Sequence, residues 1–387
     1  VISGAPGAAE QRNKPLLHHT IRNFDSQLKI FQEMTVDAVV LNNPQTACAE
    51  IDSVLDSCLR YKRPVYIELP RDMVTAQVSA PSRESSRMNP ESDPQVLNEF
   101  LSEAKGLFQH AKQPVAIVGV ETHRFGLQDK VLTLLEKANI PAVSTILSKS
   151  VIPETHPQYM GVYEGAMCRK EVAEYVHSSD CLLLFGVFLS DINLGMFSAH
   201  LDQSKVISIT NDQTSVHHHS YENIQFPDVL DALIASDLSP RASSAYPHVA
   251  SAQYPEHTPQ QRVSVAYLFQ RLNAFLQDNT VVLADPGDAL FGAIDMTICQ
   301  QSEFLSPAFY ASLGFAVPAS IGAQLADSRL RPLVLVGDGA FQMSGMELSS
   351  ALRFGLNPIV VVLNNQGYGT ERPMLDGGFN DIQPWNY

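Results

Sequence analysis

Two uninterrupted apolar runs, each ending in small polar residues, restrict the fold of this 387-residue chain more than any other feature. Residues 333–336 read Leu-Val-Leu-Val and lead into Gly337-Asp338-Gly339. Residues 359–363 read Ile-Val-Val-Val-Leu and lead into Asn364-Asn365, 24 residues after the Gly-Asp-Gly. Short continuous apolar runs suit strands buried on both faces of a parallel sheet. Parallel strands need a crossover, and the intervening residues fit a helix over about 341–354 with Gly355 at the C′ position. Both polar ends would then reach the same edge of one sheet. There the Asp338 carboxylate, the Asn365 amide oxygen, the Gly367 carbonyl and glycine backbone at a helix start would suit a hard divalent cation holding a diphosphate.

The same alternation runs upstream. The chain opens on Val-Ile-Ser-Gly-Ala-Pro-Gly, a strand running into a tight loop, and both chain ends look cut from within domains. Ile51, Val54, Leu55, Cys58 and Leu59 recur at helical spacing, and Val65, Ile67 and Leu69 alternate as a strand closed by Pro70. Pro- and Ser-rich residues 79–95 read as a linker. Strands follow at 114–118, 141–144, 181–185 and 206–209, with a helix over 131–137, and then a second linker at 238–261. A helix at 265–277 precedes a strand at 280–284, which ends in Asp285-Pro286-Gly287-Asp288. The expected architecture is α/β: three doubly wound parallel-sheet domains at 1–78, 96–235 and 262–387, the first and third incomplete.

Composition excludes several classes. A net charge of −15 without a basic run argues against nucleic acid and anionic membranes. No apolar run approaches a membrane span, and no signal-peptide pattern is present. Cys48, Cys58, Cys168, Cys181 and Cys299 form no C-x-x-C pair, which points to a reduced, cytoplasmic compartment. His217-His218-His219 resembles a metal cluster, but adjacent strand residues face opposite ways, so no metal is assigned there. Val118-Gly119-Val120-Glu121 is not a G-x-G-x-x-G and signals no dinucleotide.

Gly-Asp-Gly and Asn-Asn at this spacing resemble the cofactor motif of thiamine-diphosphate-dependent enzymes. Asn364-Asn365-Gln366-Gly367-Tyr368-Gly369-Thr370-Glu371 is similar to the corresponding segment of the 2-oxo acid decarboxylases. Leu16-Leu17-His18-His19-Thr20 resembles their catalytic histidine pair, and residues 63–70 the end of their first domain. The resemblance implies thiamine diphosphate and Mg²⁺ as cofactors and conversion of a 2-oxo acid to an aldehyde and CO₂. It makes the three domains the C-terminal part of a pyrimidine-binding domain, a central domain and the N-terminal part of a diphosphate-binding domain. It implies Asp338, Asn365 and Gly367 as metal ligands, with Gly339, Ala340, Tyr368 and Gly369 also at the cofactor. The Ala311 backbone would face the aminopyrimidine, and Leu313 would be the wedge that bends the cofactor. His18 and His19 would relay protons, and Glu371 would sit by the substrate carboxylate.

Two departures accompany the resemblance. The family's activating glutamate and an acidic partner of the histidines would fall before Val1, so the chain as given is not expected to turn over. Asp288 stands where many relatives carry threonines. A carboxylate beside a diphosphate is unfavourable unless turned away or paired with the cation, so Asp288 is not counted as a cofactor residue. The family places its cofactor between the first domain of one subunit and the third of another, which implies a homodimer or homotetramer. The alternatives are a carboligase like acetolactate synthase, with a flavin in the middle domain, or a non-catalytic relative. Phe379, Trp385 and Tyr387 cluster after Glu371 but do not identify the 2-oxo acid.

Overall fold

The computed structural model describes residues 1–18, 20, 22–79, 91–240, 245–248, 260, 262–298 and 302–370. His19, Cys299, Glu371, Phe379, Trp385 and Tyr387 lie outside the described residues. The chain divides into two compact units, Val1–Glu91 and Ser92–Tyr387.

The first unit holds three parallel strands, β1 (Ile2–Ala5), β2 (Ala38–Val40) and β3 (Tyr66–Pro70), in the order β1-β3-β2. The opening residues are thus a strand, as their composition implies. The helix Ala47–Tyr61 buries Val54, with Ile51 and Cys58 packed partly beside it. Leu55 and Leu59 were expected on the same face, yet they are 46% and 48% exposed within the unit. A three-stranded sheet is narrow, and one stripe at i, i+3 and i+7 already covers it.

The second unit contains two sheets. The central one has seven strands: β4 (Pro114–Val118), β5 (Ala142–Ser144), β6 (Tyr159–Val162), β7 (Cys181–Phe185), β8 (Val206–Ile209), β9 (Thr214–Val216) and β10 (His219–Tyr221). They run in the order β10-β9-β8-β7-β4-β5-β6, parallel except for the antiparallel β9 and β10 at one edge. His217 and His218 form the turn between those two edge strands, with His217 at φ 54°, and only His219 is on a strand. The histidines are therefore separated by a hairpin turn and not by strand alternation. The His219 ring nitrogen Nδ1 lies 2.9 Å from Glu103 Oε2.

The last sheet comprises β11 (Thr280–Ala284), β12 (Glu303–Leu305), β13 (Arg331–Gly337) and β14 (Ile359–Leu363), all parallel, in the order β12-β11-β13-β14. Alternate side chains fill opposite faces. Val282, Ala284, Leu333 and Leu335 join one core, while Val281, Leu283, Val334 and Val336 join the other. Each fully buried aliphatic side chain contributes roughly 1.5–3 kcal/mol, so burial on both faces locks these strands in place. The helix after β13 begins at Asp338 itself, three residues before the expected start. It breaks into a 3₁₀ turn at Gly345–Glu347 before resuming over Leu348–Arg353. Gly355 follows at φ 67°, the left-handed C′ position.

A buried ion pair joins the two sheets of this unit. Lys149 Nζ lies 2.9 Å from both carboxylate oxygens of Glu154, and each side chain is 2% exposed. Lys149 also donates to the Met296 carbonyl (2.6 Å), and the Ile298 N–H donates to Glu154 (2.8 Å). Ile146 and Val162 from the central part pack into the same apolar cluster as Phe269, Val282 and Leu335.

Glu164, just past β6, is fully buried, and neither of its carboxylate oxygens has a hydrogen-bond partner among the described residues. Burial raises its pKa from 4.5 to about 7. The folded state therefore holds a proton that the unfolded chain releases above about pH 4.5. Stability from this group is full below that pH and is lost as pH rises through 7, by about 3 kcal/mol in all. Glu164→Gln is expected to gain stability over the parent progressively between pH 5 and 8 in denaturant titrations. Parallel pH profiles for the two proteins would refute this.

Candidate active site

Register places the polar ends together. Gly337 pairs with Leu363, and Ala284 with Leu335, so residues 285, 338 and 364 leave the last sheet at one edge. Asp338 is buried at this edge, 7% exposed. Its Oδ1 accepts the N–H of Gly339 (3.0 Å) and its Oδ2 accepts the N–H of Gly367 (3.1 Å). The Asp338 carboxylate therefore ties the loop after β14 to the end of β13. Asn364 Oδ1 accepts the N–H of Gln366 (3.1 Å), which turns that loop through Gln366 at φ 66°.

Leu313, Gly339, Ala340, Asn365, Gly367, Tyr368 and Gly369 line one cleft, together with Pro286, Gly287, Asp288, Gly337, Leu363 and Thr370. Ala311 is not part of that wall: it is exposed, at φ 54°, and its N–H donates to the Pro307 carbonyl (2.8 Å). His18 sits in an exposed turn of the first unit, while His19 and Glu371 lie outside the described residues.

The glycines differ in what they serve. A Cβ on Gly339 would stand 2.7 Å from the Tyr368 ring, and one on Gly369 would stand 2.4 Å from Asn365 Nδ2. Packing requires glycine at 339, against an aromatic ring, whereas at 369 the neighbour is the end of a side chain that can turn. Gly337 has φ −69° and no neighbour within 4 Å of such a Cβ, so neither strain nor packing demands glycine there. What a side chain would fill at Gly337 is open space lining the cleft.

Among the described residues no lysine, arginine or histidine lines the cleft, whereas Asp288 does. An anion entering it would need a cation to offset the carboxylates. Among the described residues no three His, Cys, Asp or Glu side chains gather as a metal site. The available donors are hard oxygens: the Asp338 carboxylate, the Asn365 amide and the Gly367 carbonyl. That set suits Mg²⁺, which takes few protein ligands and completes its shell with water and phosphate oxygens. The residues fit a cation-bound diphosphate.

Two carboxylates at the end of β11 were not anticipated in the site. Asp285 is fully buried, and its Oδ1 accepts the N–H groups of Phe315 (2.9 Å) and Ala316 (3.1 Å) at the start of helix Ala316–Ala326. Burial raises its pKa, and the backbone donors Ala316, Phe315 and Gly314 pull the other way. Asp285 thus pins the segment that carries Leu313. Asp288 does not stand apart from the cofactor residues, as its charge had suggested: its Oδ2 accepts the Asn365 Nδ2 amide (3.0 Å) on the cleft wall. An amide donor supplies the partner that the repulsion argument lacked.

The central sheet reverses strand order between β4 and β7, where a dinucleotide would bind in such a fold. There the chain is packed shut. A Cβ on Gly119 would stand 2.1 Å from the Gly186 carbonyl, and buried Glu121 accepts the Asn211 N–H (2.9 Å).

Comparison with known families matches residues 101–233 to the thiamine pyrophosphate enzyme central domain. Residues 289–381 match the thiamine pyrophosphate enzyme C-terminal TPP binding domain. The chain is similar to an indole-3-pyruvate decarboxylase of Azospirillum brasilense, 34% identical over 392 residues, covering 100% of this chain and 71% of that protein. It is also similar to a pyruvate decarboxylase of Candida glabrata and to pyruvate decarboxylase isozyme 1 of Saccharomyces cerevisiae, each 30% identical, with 100% and 71% coverage.

The two glycines flanking Asp338 should respond differently to alanine. Gly339→Ala is expected to lower stability by roughly 1–3 kcal/mol, the cost of overpacking against Tyr368, whereas Gly337→Ala should leave it within about 0.5 kcal/mol. Thermal unfolding of both variants would show the contrast, and equal losses would contradict it.

Proposed function

Because the chain belongs to the thiamine-diphosphate-dependent 2-oxo acid decarboxylase family, we propose that its reaction is the non-oxidative loss of CO₂ from a 2-oxo acid, giving an aldehyde, with Mg²⁺ holding the cofactor. The observation that carries this reading is the buried Asp338 carboxylate, tied to the N–H of Gly367, which lines a cleft without basic side chains among the described residues. Asp338, Asn365 and the Gly367 carbonyl hold the cation, and Gly337 and Gly339 let the backbone approach phosphate oxygens. When bound, the cofactor supplies the electron sink for cleavage of the carbon–carbon bond. Leu313 sets an apolar side chain against it, kept in place by Asp285. The departing CO₂ must be replaced by a proton on the same carbon, and His18 and His19 are the residues proposed to relay it. Glu371 is proposed to face the substrate carboxylate, where like charge favours release of neutral CO₂.

We further propose a homodimer or homotetramer in a reduced cytoplasmic compartment. Large apolar side chains exposed on the chain support assembly: Tyr310 is 84% exposed, Met346 84% and Leu352 83%. Among the described residues Cys48, Cys58 and Cys168 form no disulfide, in keeping with reducing conditions. Among the described residues no helix is long and apolar enough to cross a membrane. The closed crevice between β4 and β7 disfavours a flavin-bearing carboligase.

The test is CO₂ release by the complete protein from pyruvate, phenylpyruvate and indole-3-pyruvate, with thiamine diphosphate and Mg²⁺. Turnover of at least one acid, abolished by a chelator and restored by Mg²⁺, is expected. Cofactor binding without any release of CO₂ would point to the non-catalytic relative. Gly337→Ala should weaken thiamine diphosphate binding about tenfold or more in calorimetry, because the new methyl fills the space left for the ligand. Unchanged affinity would move the diphosphate elsewhere.

A further inference from the structure

We propose that Asp288 is a positioning residue for the cation site, acting through the orientation of the Asn365 amide. This inference rests on the Mg²⁺ reading above. An asparagine side chain carries its donor and its acceptor on opposite branches, and a flip exchanges them. Only the oxygen branch can bind a cation. An ionised carboxylate accepts hydrogen bonds and cannot donate, so the nitrogen branch of Asn365 must face Asp288. The 3.0 Å contact from Asn365 Nδ2 to Asp288 Oδ2 is that arrangement, and it commits the amide oxygen to the other side. A hydroxyl at residue 288 would impose no such choice, since it both donates and accepts.

Packing reinforces the orientation. A Cβ on Gly369 would lie 2.4 Å from Asn365 Nδ2 and 3.5 Å from Asp288 Oδ2, so Gly369 leaves room for this pair and little else. The residue also has a fixed base: Asp288 opens the short helix Asp288–Ala293, whose Ala289, Leu290 and Ala293 are buried. Gly287 precedes it at φ 95°, a backbone that only glycine adopts without strain. The second carboxylate therefore offsets its own repulsion of a diphosphate by holding a ligand of the cation that neutralises it.

The test is isothermal calorimetry of Mg²⁺ binding in the presence of thiamine diphosphate, on the complete protein and on Asp288→Asn, Asp288→Ala, Asn365→Ala and the Asp288→Ala/Asn365→Ala double variant. Asp288→Asn can pair with either branch of the amide and should weaken Mg²⁺ about 10- to 100-fold, the usual effect of losing a group that orients a metal ligand. Asp288→Ala should do the same in the parent and add nothing in the Asn365→Ala background. Unfolding temperatures without metal serve as the folding control, and if Asp288→Ala does not fold, Asp288→Asn replaces it in the cycle. Wild-type affinity in Asp288→Asn, or losses that multiply in the double variant, would overturn the positioning role while leaving the cofactor reading intact. A parent protein that binds no Mg²⁺ with thiamine diphosphate would overturn both.

Discussion

Parallel pairing of β11, β13 and β14 is the constraint on which the site depends. The side chains of β11 and β13 are consumed by two apolar cores, one on each face, and β14 packs partly against both. Polar chemistry is thereby expelled from the strands and gathers where they end. Because the strands run the same way, their ends coincide, and Asp285, Asp338 and Asn364 emerge side by side. An antiparallel neighbour would have sent one of these groups to the far side of the sheet.

Backbone N–H groups do much of the subsequent positioning. Asp338 takes those of Gly339 and Gly367, and Asp285 takes those of Phe315 and Ala316. A single carboxylate in each case fastens a distant loop to a strand end, at about 1.5–3 kcal/mol per charge-assisted bond. The loops around the cleft are thus held by the strand ends.

Apolar strands were legible in the sequence: β4, β7, β11, β13 and β14 all read as such, though β14 at the sheet edge is only half-buried, with Val362 39% exposed, because a strand there lacks a neighbour on one side. The edge strands β9 and β10 were not, since Thr-Ser-Val and His-Ser-Tyr carry no hydrophobic pattern and exist by pairing with β8 and with each other. The helix start at Asp338 was hidden because glycines on both sides suggest a longer turn than the buried packing allows. Leu313, Gly339, Ala340, Asn365, Gly367, Tyr368 and Gly369 could be assigned to one cleft from motif resemblance, while Asp288 was discounted on charge alone. Its partner is 77 residues away, and only the strand order brings the two together. Asp285 escaped notice for a related reason, as its donors belong to a helix start 30 residues on.

The buried Lys149–Glu154 pair bears on how such proteins can be recombined. Lys149 needs the Met296 carbonyl and Glu154 needs the Ile298 N–H, both from the connection that leads towards β12 in the same unit. Separating the pair from these groups would leave two buried charges each short of a hydrogen bond, at about 1.5–3 kcal/mol apiece. Two family domains match within residues 92–387, yet those residues form one compact unit. A chimaera that exchanges the central sheet between relatives must therefore keep the backbone path at 296–298 in place over the pair, or replace both members of the pair together.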